Sequence, residues 1–244
     1  MSSYYYIGTL GWHYDHWRGG FYPDKLNKTA WLEFYARHFN TIEFNSNFYR
    51  LPSEDAFVNW RDSSPVNFIF AVKVSRFITH IKRLKNAGDA VEKFISRAKI
   101  LGGKLGSLSY RLPPNMHRND DRLAPFLSSL PGKMKHVFEF RHQSCLEAAV
   151  FEILHKYSAG LCVFDMSAMT CPLVATVDFA YLRFHDSTGL YSSYYSDGEL
   201  ADWVKRLAAL GTDLKTVYVY FNNDIEAFAV RNAAILRCYL EKVG

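Results

Sequence analysis

Eight short apolar runs punctuate the chain from end to end, most of them followed by a segment of helical period. Repeated strand–helix units of this kind build a parallel sheet, because parallel neighbours need a crossover between them. The runs predict strands at Tyr5 to Leu10, Thr41 to Asn45, Asn67 to Val74, Gly106 to Leu112, His136 to Phe140, Ala159 to Phe164, Phe179 to Phe184 and Thr216 to Phe221. Helices are predicted near Thr29 to Phe39, from Ser53, over Asp89 to Leu101 and over Arg122 to Leu130. Ser144 with Glu147, and Ser196 with Glu199, have capping-box spacing and predict two further helix starts. Ile225, Phe228, Ala229, Ala233 and Leu236 mark a closing helix. The segment after the sixth run contains Pro172 and predicts a weak or missing helix.

Eight such units in 244 residues, with no linker, repeat or low-complexity tract, fit one (β/α)8 TIM-like barrel spanning residues 1–244. A doubly wound open sheet is the competing architecture. It usually carries fewer strands, and neither GxGxxG nor GxxxxGK[ST] occurs. A composition of 49% hydrophobic and 22% charged residues supports a large globular core. The four cysteines form no CxxC pair, which argues against a disulfide scaffold or a zinc knuckle. The opening MSSYYYIGTLGWHY lacks a basic region followed by a long apolar stretch, so a cytoplasmic location away from membranes is expected. A net charge of +5 permits an anionic ligand or nucleic acid without demanding either. Oligomeric state is not legible.

In such barrels the chemistry sits at the carboxyl ends of the strands, so the residues where each run stops carry the information. In order they are Trp12; Glu43 and Asn45; Lys73; Arg111; Glu139, Arg141 and His142; Asp165; Arg183 and His185; Asn222 and Asn223. Glu43 lies between Ile42 and Phe44, and Glu139 between Phe138 and Phe140. Alternation along a strand then turns both carboxylates toward the lumen, where each needs a cation. Lys73, Arg141 and Arg183 are the expected partners. A buried ion-pair network that merely closes the barrel top is the competing explanation. The loop VSRFITHIKRLKNAG adds Arg76, His80, Lys82, Arg83 and Lys85 without an acid. The loop DSTGLYSSYYS holds Tyr191, Tyr194 and Tyr195, read as a cover over a ligand. The set predicts Glu43, Lys73, Glu139, Asp165 and His185 as chemical groups. Trp12, Asn45, Tyr49, Arg76, His80, Arg83, Arg111, Arg141, His142, Arg183, Tyr191, Tyr195, Asn222 and Asn223 are predicted as ligand contacts.

These segments are also where the chain resembles a known family, domain of unknown function 72 (the YecE-like proteins). The matching blocks are IGTLGWHYDHWRGGFYP, TIEFNSNFYRLP, FAVKVSRFITHIKRL, LGGKLGSLSYRLPP, FEFRHQS, YLRFHDSTGLYSSYYSDGEL and VYVYFNND. The resemblance implies a TIM-like barrel and implies no reaction. A likeness of that family's barrel to endonuclease IV-type metal-using barrels suggests phosphoester or nucleic-acid chemistry by fold analogy alone. Three positions depart from the family pattern: Arg111 where relatives usually carry Gln, Cys145 where they carry Trp, and Asp186 where they carry Gly.

A phosphate-bearing or other anionic substrate fits the arginines best, with Glu43, Glu139 or His185 moving a proton. A divalent metal would recruit His142, His185, Glu43, Glu139 or Asp165, although no HxH or HExxH spacing supports it. Glycoside hydrolysis would need one of the two glutamates protonated against neighbouring cations. A Schiff-base mechanism would use Lys73, and Glu43 on the adjacent strand is expected to keep that lysine charged. The non-catalytic alternative is a nucleic-acid or small-anion binding protein using the basic loop with Trp12, Trp17, Phe48 and Tyr49.

Overall fold

The computed structural model describes residues 3–45, 51–186, 193–210 and 214–242. Eight parallel strands form one sheet: β1 (Tyr4–Thr9), β2 (Thr41–Phe44), β3 (Ile69–Lys73), β4 (Leu105–Arg111), β5 (Lys135–Glu139), β6 (Gly160–Met166), β7 (Phe179–Asp186) and β8 (Thr216–Phe221). Their order is β1-β8-β7-β6-β5-β4-β3-β2, so the first and second strands are left to close the barrel. Outside it run α1 (Trp31–Ala36), α2 (Glu54–Asp62), α3 (Gly88–Ala98), α4 (Asp120–Ser128), α5 (Ala148–Lys156), α6 (Asp197–Ala209) and α7 (Phe228–Glu241). Residues 167–178, between β6 and β7, contain no helix, as Pro172 led us to expect. Among the described residues, no helix is long and apolar enough to cross a membrane.

The closing seam is held largely by side chains. Backbone pairing between β1 and β2 is confined to the bridge of Leu10 with Glu43, where Gly11 N–H donates to the Glu43 carbonyl at 2.9 Å. Lower down, Asn40 takes the place of a strand: Ile7 N–H donates to its Oδ1 and its Nδ2 donates to the Tyr5 carbonyl. Between these points the Tyr35 hydroxyl accepts from Thr9 N–H at 2.9 Å and donates to the Thr41 carbonyl at 3.2 Å. Gly8 is required here, because a Cβ would sit 2.2 Å from the Thr41 carbonyl oxygen.

Alternation sorts every strand into an outer face against the helices and an inner face toward the lumen. Ile42, Phe44, Val72, Leu108, Phe138, Leu182, Phe184 and Val219 belong to the large core beneath the helices. A separate cluster fills the lumen: Ala71, Val137, Cys162, Phe179, Tyr181, Tyr218 and Tyr220. Lys135 closes its lower end, donating to the Tyr218 hydroxyl at 2.7 Å with its ammonium over the Phe179 ring. The residues two further along from Ala71, Val137 and Tyr181 are Lys73, Glu139 and Arg183, so the same register sends these three to the upper lumen.

Candidate functional site

The carboxyl end of the lumen carries two polar layers. In the lower one, Arg183 is 1% exposed and reaches across the barrel to both glutamates, which are fully buried. Its Nε donates to Glu43 Oε2 at 2.8 Å, its Nη2 meets Glu43 Oε1, and its Nη1 meets Glu139 Oε2. Ser109 completes the layer, accepting from Arg183 Nη2 at 3.1 Å and donating to Glu43 at 2.8 Å. Four strands (β2, β4, β5 and β7) are thereby cross-linked through one guanidinium. Charges this far from water persist only when paired and hydrogen-bonded in this way.

The upper layer contains the groups nearer to solvent. Arg141 pairs with Glu139 Oε1, donates to the Met166 sulfur at 2.9 Å and lies over the Phe164 ring at 4.7 Å. Its Nη2 also lies 2.6 Å from His185 Nε2. A guanidinium only donates, so His185 accepts there at Nε2 and is neutral, while Asn222 Nδ2 lies 2.9 Å from its Nδ1. Burial, reinforced by Arg141, Arg183, Arg111 and Lys73, holds this imidazole well below its ordinary pKa. Arg111 approaches Glu139 at 3.6 Å and keeps 28% of its side chain exposed. Lys73, 2% exposed, donates to Asn45 Oδ1 at 3.0 Å. Its pKa is lowered to about 8, first by burial and then by Arg111 and Arg141, against the opposing pull of Glu139.

The basic loop leans toward this layer. A π-helical turn at Phe77–Ile81 brings in His80, hydrogen-bonded to Thr79 at 2.9 Å. Burial and the surrounding Arg111, Arg76, Lys73 and Arg83 lower the His80 pKa to about 4. Arg83 and Leu84 both adopt left-handed backbone (φ 48 and 68), a cost of about 1–3 kcal/mol each, and burial of Leu84 holds the bend. Arg83 then reaches Asn115, on the loop after β4, at 3.2 Å, while Arg76 is exposed.

Beside the cations lies an aromatic cavity of about 430 Å³ lined by Gly11, Trp12, His13, Tyr14, Phe44, Asn45 and Trp60. Trp12 packs against Phe44 and meets Trp60 edge-on at 5.8 Å. Asn45 belongs to both regions, as a wall of the cavity and as the acceptor for Lys73.

Several expected members fall outside this cluster. Asp165 is one residue out of phase with the lumen and faces α6, where the Trp203 indole donates to it at 3.3 Å. Its pKa is raised by burial, while hydrogen bonds from Tyr195 and Trp203 oppose the shift. Tyr195 is fully buried against Phe184 and Phe221, and its backbone is gripped by Asn232 of α7. Asn223 points the opposite way from Asn222, donating to Asn232 and to the Ser193 carbonyl. His142 bonds with Ser144 at 2.9 Å and stacks on His117, away from Glu139. Cys145 is buried with its thiol 3.6 Å from the Met116 carbonyl, so this departure belongs to the packing under α5. Phe48, Tyr49, Tyr191 and the side chain of Asp186 lie outside the described residues.

The residues weighed as metal ligands do not fit an ion. Asp165 and His142 face other layers, and both glutamates are engaged by arginines. Among the described residues no group of three or more His, Cys, Asp or Glu converges on a metal position. Glu43, expected beside Lys73, hydrogen-bonds with Arg183 and Ser109. Ser109, Phe164, Met166 and Trp60 were not foreseen. Ser109 had a signal: it lies two residues before Arg111 on the same strand.

Fold and site together define a (β/α)8 barrel whose carboxyl mouth holds a buried arginine–glutamate lattice beneath a cationic layer. A family model described as "Protein of unknown function DUF72" matches residues 6–243, and the chain belongs to that family. The YecE protein of Escherichia coli K12 is 34% identical over 138 residues, which is 56% of this chain and 48% of that protein. The chain thus matches about half the length of that curated relative. The YunF protein of Bacillus subtilis is 24% identical over 93% of this chain and 91% of its own length. The crystal structure of a DUF72 family protein from Thermotoga maritima superposes with a TM-score of 0.89 at 26% identity, covering 98% of this chain and 99% of that one.

Proposed function

We propose that the carboxyl mouth binds a small ligand through a phosphate or carboxylate group. One observation carries this reading: four cationic side chains, Lys73, Arg111, Arg141 and Arg183, gather at the carboxyl end of the lumen around Glu43 and Glu139, and one of them still reaches solvent. Neither histidine is cationic at neutral pH, since His185 accepts from Arg141 and His80 titrates near 4. Charge-assisted hydrogen bonds from Arg111 are the natural contact for an anion, because that guanidinium is still partly exposed. Arg183 is committed to the glutamates, so its part is to hold the floor of the site.

The test is a titration with inorganic phosphate and with a simple phosphomonoester, read by calorimetry and thermal shift, on the wild type and on Arg111→Gln. Ligand at 100 times its Kd adds about 2.7 kcal/mol of stability. For a chain of this size that corresponds to a Tm rise of roughly 5–10 °C. Arg111→Gln should weaken binding about tenfold or more, the loss of one charge-assisted contact. Absence of any shift in the wild type up to high millimolar phosphate and acetate would sink the reading. Tight, steeply salt-dependent binding of single-stranded DNA or RNA, without binding of the small anions, would favour nucleic acid instead.

A further inference from the structure

We propose that the ligand of the carboxyl mouth is nucleotide-like: a flat heterocycle seated in the aromatic cavity and joined, through an arm of sugar length, to a phosphate held at Arg111. The phosphate half rests on the anion reading above, whereas the ring half rests on the cavity alone. The chain has five tryptophans. Trp17, Trp31 and Trp203 are buried, and each indole N–H donates to the protein. The other two, Trp12 and Trp60, are half-buried, and both stand in the wall of this one cavity. Their rings meet at right angles with centroids 5.8 Å apart, a corner rather than a sandwich. A flat ring laid on one indole then presents its edge to the other, and both contacts are favoured between aromatic rings. At about 430 Å³ the space is nearly three times the roughly 150 Å³ that takes up a benzene ring.

The corner is preformed. Trp60, on α2, packs on Phe44 and Phe57 with ring centroids 4.2 and 5.1 Å apart. Trp12 packs on the same Phe44, and its carbonyl accepts from the Tyr22 hydroxyl at 2.6 Å. Gly11 (φ 82) makes the turn out of β1, and the Tyr14 hydroxyl fixes that turn by donating to the Leu10 carbonyl at 2.6 Å. Rings held in this way lose little freedom when a ligand arrives. Asn45 adds a polar group to the wall. An ammonium only donates, so Lys73 engages the Asn45 oxygen, and the amide NH2 is the group that can donate to a ring nitrogen or carbonyl. Such a donor favours a heterocycle over a plain hydrocarbon ring. Asn45 follows β2 and Arg111 ends β4, two strand spacings or about 10 Å away. The Arg111 side chain covers part of that gap, and an arm the size of a ribose covers the rest.

The test compares adenosine 5′-monophosphate, adenosine and ribose 5-phosphate on the wild-type chain, by calorimetry and by indole fluorescence. The nucleotide should bind about tenfold or more tightly than ribose 5-phosphate, the contribution of stacking on an aromatic side chain. The nucleotide and the nucleoside should quench the indoles, and ribose 5-phosphate should not. Trp60→Leu should weaken the nucleotide about tenfold and leave ribose 5-phosphate unchanged. Arg111→Gln should weaken both phosphates and leave adenosine unchanged. Equal affinity for the nucleotide and ribose 5-phosphate, without quenching, overturns the proposal and leaves the anion reading standing. Quenching by nucleoside and nucleotide at equal affinity, with no binding of ribose 5-phosphate, upholds the ring cavity and overturns the phosphate half. Failure of all three to bind overturns both halves. Because these comparisons are made on wild-type protein, none of them depends on a variant folding. A single-stranded oligonucleotide that binds more tightly than the mononucleotide overturns the small ligand in favour of nucleic acid.

Discussion

Arg183 shows how much one side chain can be asked to hold. It pairs with two fully buried carboxylates from different strands. Removing one partner of such a set costs about 3–5 kcal/mol, because the remaining charges stay buried and unpaired. Arg183→Met should therefore cost at least that much in urea unfolding at pH 8. A cavity alone would cost the same at every pH, so a pH series separates the causes. Glu139 keeps Arg141, whereas Glu43, left buried without a cation, regains stability by taking up a proton, and the loss should shrink clearly between pH 8 and pH 5. A penalty that stays constant over that range would mean the ion pairs contribute little. The residue scale is also where the sequence was hardest to interpret. Naming the residue at which each apolar run stops finds Glu43, Lys73, Glu139 and Arg183, yet it gives Asp165 and Asn223 equal weight. Phase decides: Cys162 faces the lumen, so Asp165, three positions on, faces the helices.

At the scale of elements, two serines with the same local pattern behave differently. Ser196 accepts from Glu199 N–H while the Glu199 carboxylate accepts from Ser196 N–H, a complete capping box for α6. Ser144 precedes Glu147 by the same spacing, but a short 3-10 turn at Gln143–Cys145 intervenes and α5 begins at Ala148. The Ser144 hydroxyl accepts instead from Arg118 N–H at 2.9 Å, and Glu147 pairs with the Arg118 guanidinium. Ser196→Ala should cost about 1 kcal/mol and speed hydrogen exchange at the Glu199 amide. Ser144→Ala should leave the Glu147 amide unchanged and speed exchange at Arg118. If the two variants behave alike at these amides, this assignment of the caps is wrong. The same contrast explains what was legible. Strand positions and the absent helix after β6 follow from patterns within a few residues, and eight parallel strands follow from their repetition. Ser144 was misjudged because Arg118, far away in sequence, competes for its hydroxyl. The Asn40 and Tyr35 contacts that close the barrel are equally non-local, and no periodicity announces them.

For the molecule as a whole, the crowding of cations at one end of the barrel should be visible in stability against pH. His80 titrates near 4 in the folded chain and near 6.5 when unfolded, so between those values the unfolded state binds more protons. Stability must then fall as pH drops from 6.5 to 4 and level off below, where both states are protonated. His185, held well below its ordinary pKa, adds to the fall, since protonating it would end its hydrogen bond from Arg141. Asp165 and Asp224, both raised by burial, act in the opposite sense near pH 4 because the folded state then keeps protons that the unfolded state has lost. Lys73 opens a second window: with about 8 folded against 10.5 unfolded, it makes stability climb from pH 8 toward 10. Buried tyrosines such as Tyr218, raised to about 12, reverse that climb above pH 10, where the unfolded chain releases their protons. Comparing urea unfolding of the wild type and His80→Gln from pH 4 to 7 isolates one group from this sum. Each proton contributes at most about 1.4 kcal/mol per pH unit. For a half-exposed imidazole, screening reduces the total difference between the two proteins to about 1–2 kcal/mol over the window. The variant should show the shallower acid limb, with the two curves running parallel from pH 6.5 to 8. Phosphate at saturating concentration should flatten the wild-type limb as well, because an anion among Arg111, Lys73 and His80 raises the histidine pKa toward its unfolded value. Parallel limbs in the absence of phosphate would show that His80 does not feel the four cations around it.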